Sequence, residues 1–368
     1  AVAALSAMAA SAMAANVTLY GKLDQGIQVQ KTKLTGEESK TTFKGTSGIS
    51  SGSRWGLKGT EEIADGYTVG FVLESGFDGM DGTGNNAFNR DAFLKLGTPF
   101  GSLTVGRTGM LSDGCTGDII AGQSSPFGTS YGIAAATANT FGNILGGRTN
   151  RAVRYVSPKF AGVQLHAEYA NMNGEGKQPN KQRYGGVGVS YANGPFYIAV
   201  AAETLRMSAE QEANFPQLKD PRFFSLSANY NFGVAKVFAG YQYAKHTPVS
   251  VSLGFDKAHK TTTYENKSKF GDVAKQAFYG KYNAGTLGVS APIGGGTLMA
   301  SVAYRKGTND VDDVDVTWTT GAIGYKYNLS KRTYLYTDVA YGKEKWELAT
   351  GDKSGKVTQF NLGLCHNF

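Results

Sequence analysis

Seven short turns rich in glycine, proline and asparagine punctuate this chain, and each separates two segments in which apolar and polar residues alternate. They are EEIADGY (61–67), GTPFGSL (97–103), SPKFAGV (157–163), YANGPFY (191–197), YNFGVAK (230–236), APIGGGT (291–297) and YNLSKRT (327–333). Clusters of this kind between β-prone runs mark hairpins. Seven turns join fourteen strands; a first strand from near Asn16 and a last one ending at Phe368 bring the expectation to sixteen. Their cores fall at 17–30, 52–62, 66–77, 89–97, 101–107, 148–157, 161–171, 183–192, 195–205, 222–231, 234–244, 276–291, 297–306, 317–328, 332–343 and 356–368. The other edge carries eight longer connections: 31–51, 78–88, 108–147, 172–182, 206–221, 245–275, 307–316 and 344–355. Short turns on one edge, long loops on the other and an even strand number describe a barrel of the outer-membrane kind.

The strand faces say what the wall separates. In the last strand Phe360, Leu362, Leu364, His366 and Phe368 fall on one side, and Gln359, Asn361, Gly363, Cys365 and Asn367 on the other. In the first, Val17, Leu19, Gly21 and Leu23 oppose Thr18, Tyr20, Lys22 and Asp24. After residue 15 no stretch approaches the roughly 20 apolar residues of a spanning helix. A chain of this composition therefore crosses a membrane only as a closed sheet, which satisfies every backbone group. A soluble sandwich also alternates, but it rarely needs sixteen strands with charge on the inner face. Phe100, Phe160, Phe196, Tyr197, Tyr327, Tyr334 and Phe368 cluster at the short-turn edge, the position of an interfacial aromatic girdle.

Residues 1–14, AVAALSAMAASAMA, read as the remnant of a signal peptide, with a cut before Ala15 or Asn16; 15–368 then form one barrel. The 37 Lys and Arg against 29 Asp and Glu give a net charge of +8, which suits anionic solutes or anionic lipid. Export and the absence of any recognition motif argue against nucleic acid. Cys115 and Cys365 are far apart and carry no disulfide signature. No HExxH, CxxC, Walker loop, GxSxG or dinucleotide fingerprint occurs, and the four histidines share no ligand spacing. No enzyme, metal or cofactor is expected. Glu37, Glu38 and VDDVD (311–315), and the lysines of 257–275, read as solvated loop charge, with divalent cations and lipopolysaccharide phosphates as the alternative partners.

Several stretches together carry a resemblance: NVTLYGKLDQGI (16–27), SRWGLKGTEEIADGYTVGFVLESGF (53–77), FNRDAFLKLGTPFGSLTVGRT (88–108), RTNRAVRYVSPKFAGVQLHAEY (148–169), YNLSKRTYLYTDVAYG (327–342) and GLCHNF (363–368). In that order they resemble the trimeric general porins of the Gram-negative outer membrane, especially the betaproteobacterial and neisserial type. The resemblance implies an all-β fold: a 16-stranded antiparallel transmembrane β-barrel with the third extracellular loop, here 108–147, folded inward as a constriction. It also implies a homotrimer, outer-membrane lipid and lipopolysaccharide around the wall, and a terminal Phe368 read by the barrel assembly machinery. Opposite the loop it places a basic cluster: Lys22, Arg54, Arg90, Arg107 and Arg148. The loop's own acids are Asp113 and Asp118.

Two features sit awkwardly. By simple alternation from Thr104, Arg107 has the wrong parity to face inward, and Arg151 and Arg154 cannot both do so. Cys365 stands where such porins commonly have arginine, which removes a charge near the periplasmic mouth. An excess of basic over acidic groups at a constriction attracts anions and repels cations, and arginine keeps its charge beside other cations. The expected function is a passive diffusion channel for small hydrophilic solutes with anion preference. Alternatives are a substrate-selective anion or phosphate channel, and a structural or adhesive barrel with an occluded pore. The arginines also have partners for purely stabilising ion pairs in Glu61, Glu62, Glu74 and Asp91.

Overall fold

The computed structural model describes residues 17–84, 87–135, 140–142, 147–171, 183–206, 219–248, 279–309, 314–347 and 351–368. The signal remnant 1–14 with its cut, the lysines of 257–275 and most of VDDVD lie outside the described residues. Among the described residues the chain forms β1 (Thr18–Leu34), β2 (Lys40–Ser47), β3 (Arg54–Ala64), β4 (Tyr67–Gly76), β5 (Ala92–Thr98), β6 (Gly101–Gly109), β7 (Arg148–Val156), β8 (Val163–Asn171), β9 (Arg183–Asn193), β10 (Phe196–Arg206), β11 (Arg222–Asn231), β12 (Lys236–Pro248), β13 (Tyr279–Ile293), β14 (Gly296–Asn309), β15 (Asp315–Asn328), β16 (Thr333–Glu347) and β17 (Lys353–Asn367). Two short 3-10 turns, Ala121–Gln123 and Gly132–Ala134, lie between β6 and β7.

All strand pairings are antiparallel, and β17 returns to β1 from Lys22 opposite Asn367 to Leu34 opposite Gly355. Gly21 and Phe368 exchange two backbone hydrogen bonds of 3.0 Å at that seam. Closure leaves no free sheet edge in the wall, which is what hydrocarbon demands. β2 and β3 both pair with β1, one above the other, so the seventeen segments make a sixteen-stave barrel.

That second stave is where the structure departs from the turn pattern. The sequence places a loop at 31–51; instead β1 runs on to Leu34, turns, and returns as β2 before the chain breaks out of the sheet at 48–53. The break points inward: Ile49 and Ser50 are buried, and the Ile49 carbonyl accepts the Tyr131 amide at 2.6 Å. The pattern misses β2 because KTTFKGTS has one large apolar residue, Phe43, and so gives almost no signal of period two.

Alternation in β17 is complete, with Val357, Gln359, Asn361, Gly363 and Cys365 buried and Phe360, Leu362 and Leu364 exposed. The apolar face thus looks outward and the polar face into the lumen. The girdle is partial. Phe100, Phe160, Tyr327 and Phe368 are exposed, but Tyr197 and Tyr334 turn inward: their hydroxyls meet the Ile119 carbonyl and the Ser50 hydroxyl at 2.9 Å. Cys115 and Cys365 are free thiols.

Candidate functional site

Between β6 and β7 the chain leaves the wall and reaches the opposite side of the lumen. Leu111, Ile119, Ile120 and Phe141 enter one apolar cluster with Ala199, Ala201, Phe223, Ala244 and Tyr282. Phe127, Tyr131, Ile133 and Ala134 enter a second with Met299, Trp318, Tyr334 and Tyr336. Polar contacts fix the register: Ser227 donates to the Ile119 carbonyl at 3.0 Å, Gln242 accepts the Gly142 amide at 2.8 Å, and Gln359 donates to the Tyr131 carbonyl at 3.2 Å. Every one of these wall residues lies on the inner face of its strand.

The loop acids do not oppose the basic residues as free charges. Asp118 caps a turn: its carboxylate accepts the amides of Ile120 (2.9 Å), Ala121 (2.9 Å) and Gly122 (2.6 Å). Burial raises its carboxyl pKa against those stabilising amides. Asp113 sits where the loop's two ends meet, since a Cβ built on Gly147 would fall 2.5 Å from its Oδ2 and 3.0 Å from the Cys115 sulfur.

The basic residues gather on the wall formed by β1, β3, the segment before β5, β6 and β7. Glu74, buried near the end of β4, bridges two of them: its Oε1 lies 2.5 Å from Arg90 Nε and its Oε2 lies 3.6 Å from Arg54 Nε. Tyr20 also donates to Oε2, at 3.1 Å. Lys22 and Arg54 both donate to the Ser51 hydroxyl at 3.2 Å. Arg148 donates to Asp91 at 3.0 Å, and the same carboxylate accepts the Thr116 hydroxyl at the root of the loop. Arg107 donates to the Asn89 carbonyl at 2.9 Å and to the Asn150 side chain at 2.5 Å.

A bulge on β7 accounts for Arg151 and leaves the parity of Arg107 as the alternation gives it. The β6–β7 register shifts between Gly106 and Thr108, Gly106 takes a φ of +138° that suits glycine, and Arg151 opposite has φ +52°. Asn150 and Arg151 together oppose Arg107, so the extra residue is on β7. β6 keeps its alternation: Thr104 and Thr108 are buried, and Arg107 between them keeps the outward parity of Val105. Arg151 leaves the alternation, so that Ala152 and Arg154 are buried.

Three groups with no local signal complete the site. Asp24 is fully buried; one oxygen accepts the Ser50 amide and hydroxyl and the Ser51 amide, each at 2.7 Å, and the other accepts the Tyr336 hydroxyl at 2.5 Å. It thereby ties the inward break at 48–53 to the far side of the seam. Arg154 and Glu168 form a buried ion pair, and Arg154 also donates to the Gly109 and Thr116 carbonyls, clamping the root of the loop. Only the parity of the inner face could have pointed to them. A cavity of about 440 Å³, lined by Gly52, Ser53, Gly76, Asn89 and Arg90 among others, opens beside the arginines on the long-loop side.

A family model described as Gram-negative porin matches residues 1–346. An outer membrane porin protein of Bordetella pertussis is 29% identical over all of this chain and 98% of its own length. Outer membrane porin protein 32 of Delftia acidovorans is 30% identical over 94% of this chain and 89% of its own. Among solved structures, the anion-selective porin from Comamonas acidovorans superposes with a TM-score of 0.67 at 25% identity, covering 96% of this chain and all of the other.

Proposed function

Because this chain belongs to the family of Gram-negative porins, β-barrels of the outer membrane, we propose that it is a passive diffusion channel for small hydrophilic solutes in which anions are favoured over cations. The observation that carries the anion preference is the gathering of Lys22, Arg54, Arg90 and Arg148 on one inner wall, with Arg107 bound to the Asn89 carbonyl beside them. The ion pairs these residues make among the described residues are with Glu74 and Asp91. A positive excess inside a low-dielectric wall raises the local concentration of anions. The solved relative described as anion-selective supports the same sign. Transport needs no chemical step: the loop narrows the lumen, size excludes, and the arginines bias which ions enter.

The ion pairs have a second role. Glu74 holds Arg54 and Arg90 in fixed places, and Asp91 holds Arg148 while binding the loop through Thr116. Stabilisation and selectivity are thus carried by the same side chains, with the acids reducing but not cancelling the field.

By the same reading the protein assembles as a homotrimer, with lipid or a partner subunit on the exposed apolar face that includes Leu19, Leu23 and Trp55. Conductance in planar bilayers tests the channel. A general porin gives a current that rises steadily with salt. Saturation at low substrate concentration would replace this reading with a substrate-selective channel, and near-zero conductance would replace it with an occluded barrel.

A further inference from the structure

We propose that the inner wall holds a second anion station, below the arginine ring on the short-turn side, formed by Lys58 and Lys95 around a hollow at Gly70, and that it takes small multiply charged oxyanions such as inorganic phosphate in transit. The proposal rests on the anion-channel reading above.

Two rows of in-register residues build it. Thr18, Lys58, Val72 and Phe93 form one row across β1, β3, β4 and β5; Thr60, Gly70, Lys95 and Thr104 form the next across β3 to β6. Residues directly opposite in a ladder share a face, and Thr104 is buried on the lumen side while Leu94 and Leu96 beside Lys95 are exposed outward. Lys58 and Lys95 therefore both project inward from strands two spacings apart, roughly 10 Å. Between them Gly70 contributes no side chain, and the result is a cavity of about 380 Å³ lined by both lysines and the hydroxyl-bearing Thr18 and Thr60. A Cβ built on Gly70 would lie 3.2 Å from the Thr60 hydroxyl, so the glycine is what keeps the hollow open.

The two stations differ in how their charge is used. Arg54, Arg90 and Arg148 each face a carboxylate within 4 Å. Among the described residues neither Lys58 nor Lys95 has an ion-pair partner. Glu74, diagonally across on β4, is engaged by Arg54, Arg90 and Tyr20. The next acid along the inward face of β3 is Glu62, about 13 Å from Lys58 along the strand. Lys58 instead lies over the Tyr20 ring, 5.1 Å from its centroid, and Tyr20 is fixed by its hydrogen bond to Glu74. One aromatic residue thus joins the arginine ring to the station, about four residues or 13 Å further along the stave. Two strongly hydrated ammonium groups and two hydroxyls suit an oxyanion with several acceptor oxygens. The hollow has room for such an ion with part of its water, which keeps release fast, as conduction requires.

The test uses the full chain reconstituted in planar bilayers, with inorganic phosphate titrated against a chloride current. Phosphate added from the short-turn side reduces the wild-type current. In Lys58→Gln with Lys95→Gln the half-blocking concentration rises roughly tenfold, the loss expected for two charges near the ion at high dielectric. Lys58→Arg with Lys95→Arg restores the block. Gly70→Val keeps both charges but fills the hollow, and it too weakens the block. Wild-type current insensitive to phosphate, or an unchanged half-blocking concentration in the double glutamine variant or in Gly70→Val, overturns the station. Absence of chloride preference in the wild type overturns the underlying channel reading instead, and that result is read independently from the reversal potential.

Discussion

The two sides of the lumen hold the same loop by different means. On the side of β3 to β8 its root is bound by charge: Arg154 to Glu168 and to two loop carbonyls, and Asp91 to Arg148 and Thr116. On the side of β10 to β17 its tip is seated by apolar burial, with the Tyr131 ring 5.5 Å from Phe127 and 5.4 Å from Tyr336. A constriction needs both properties. The wall that must attract ions keeps polar groups available, and the wall that seats the tip uses apolar burial together with hydrogen bonds from uncharged side chains such as Gln359.

That division can be broken experimentally. Arg154→Ala leaves Glu168 buried without its partner and is expected to cost about 3–5 kcal/mol, read as a lower urea midpoint of the detergent-folded barrel. If the midpoint is unchanged, the charged clamp is not what holds the root. Phe127→Ala removes the aromatic anchor of the tip and costs roughly 3 kcal/mol. It should increase protease nicking within the loop while leaving ion selectivity near wild type; a large selectivity change would show that the apolar wall also sets the field.

Smaller effects sharpen the picture. Asp118→Ala removes the cap of the turn at Ile120–Gly122 and costs about 1 kcal/mol, whereas Asp118→Asn, which keeps an acceptor, costs less. Equal losses in the two variants would mean that the charge and not the cap matters. Burial pushes the Cys115 thiol pKa above its ordinary value, against the pull of Arg148. A raised thiol pKa leaves less thiolate at neutral pH, so labelling of the folded protein should begin at higher pH than for a free cysteine. Cys365, with no exposed surface, should label only on unfolding.

Much of the barrel was legible in the chain, because hairpin turns and period-two alternation are local signals. The reading of β11 as 222–231 matches Arg222–Asn231, and 183–192 matches β9 to within one residue. Failures came where the fold depends on distant partners. β2 exists because β1 extends far enough to pair with it, and its polar sequence gives no hint of that. Arg151 defied parity because a bulge on β7, visible only when β6 and β7 are laid together, resets the register there and lets Arg154 face inward. The motifs nominated Arg54, Arg90 and Arg148, whose carboxylate partners are Glu74 on β4 and Asp91 just before β5. They did not reveal that Asp24 would organise the inward break, or that Asp118 would be spent on backbone amides. Local pattern tells which face a side chain takes; it does not tell which groups that face meets across the lumen.

The sign of the field at the arginine ring is the centre of the account, and the reversal potential of the reconstituted wild-type channel in a KCl gradient measures it most directly. A potential of the sign for chloride preference, weakened or inverted in Arg54→Glu with Arg90→Glu, is the predicted result. A cation-selective wild type, or a glutamate variant with unaltered selectivity, would contradict it.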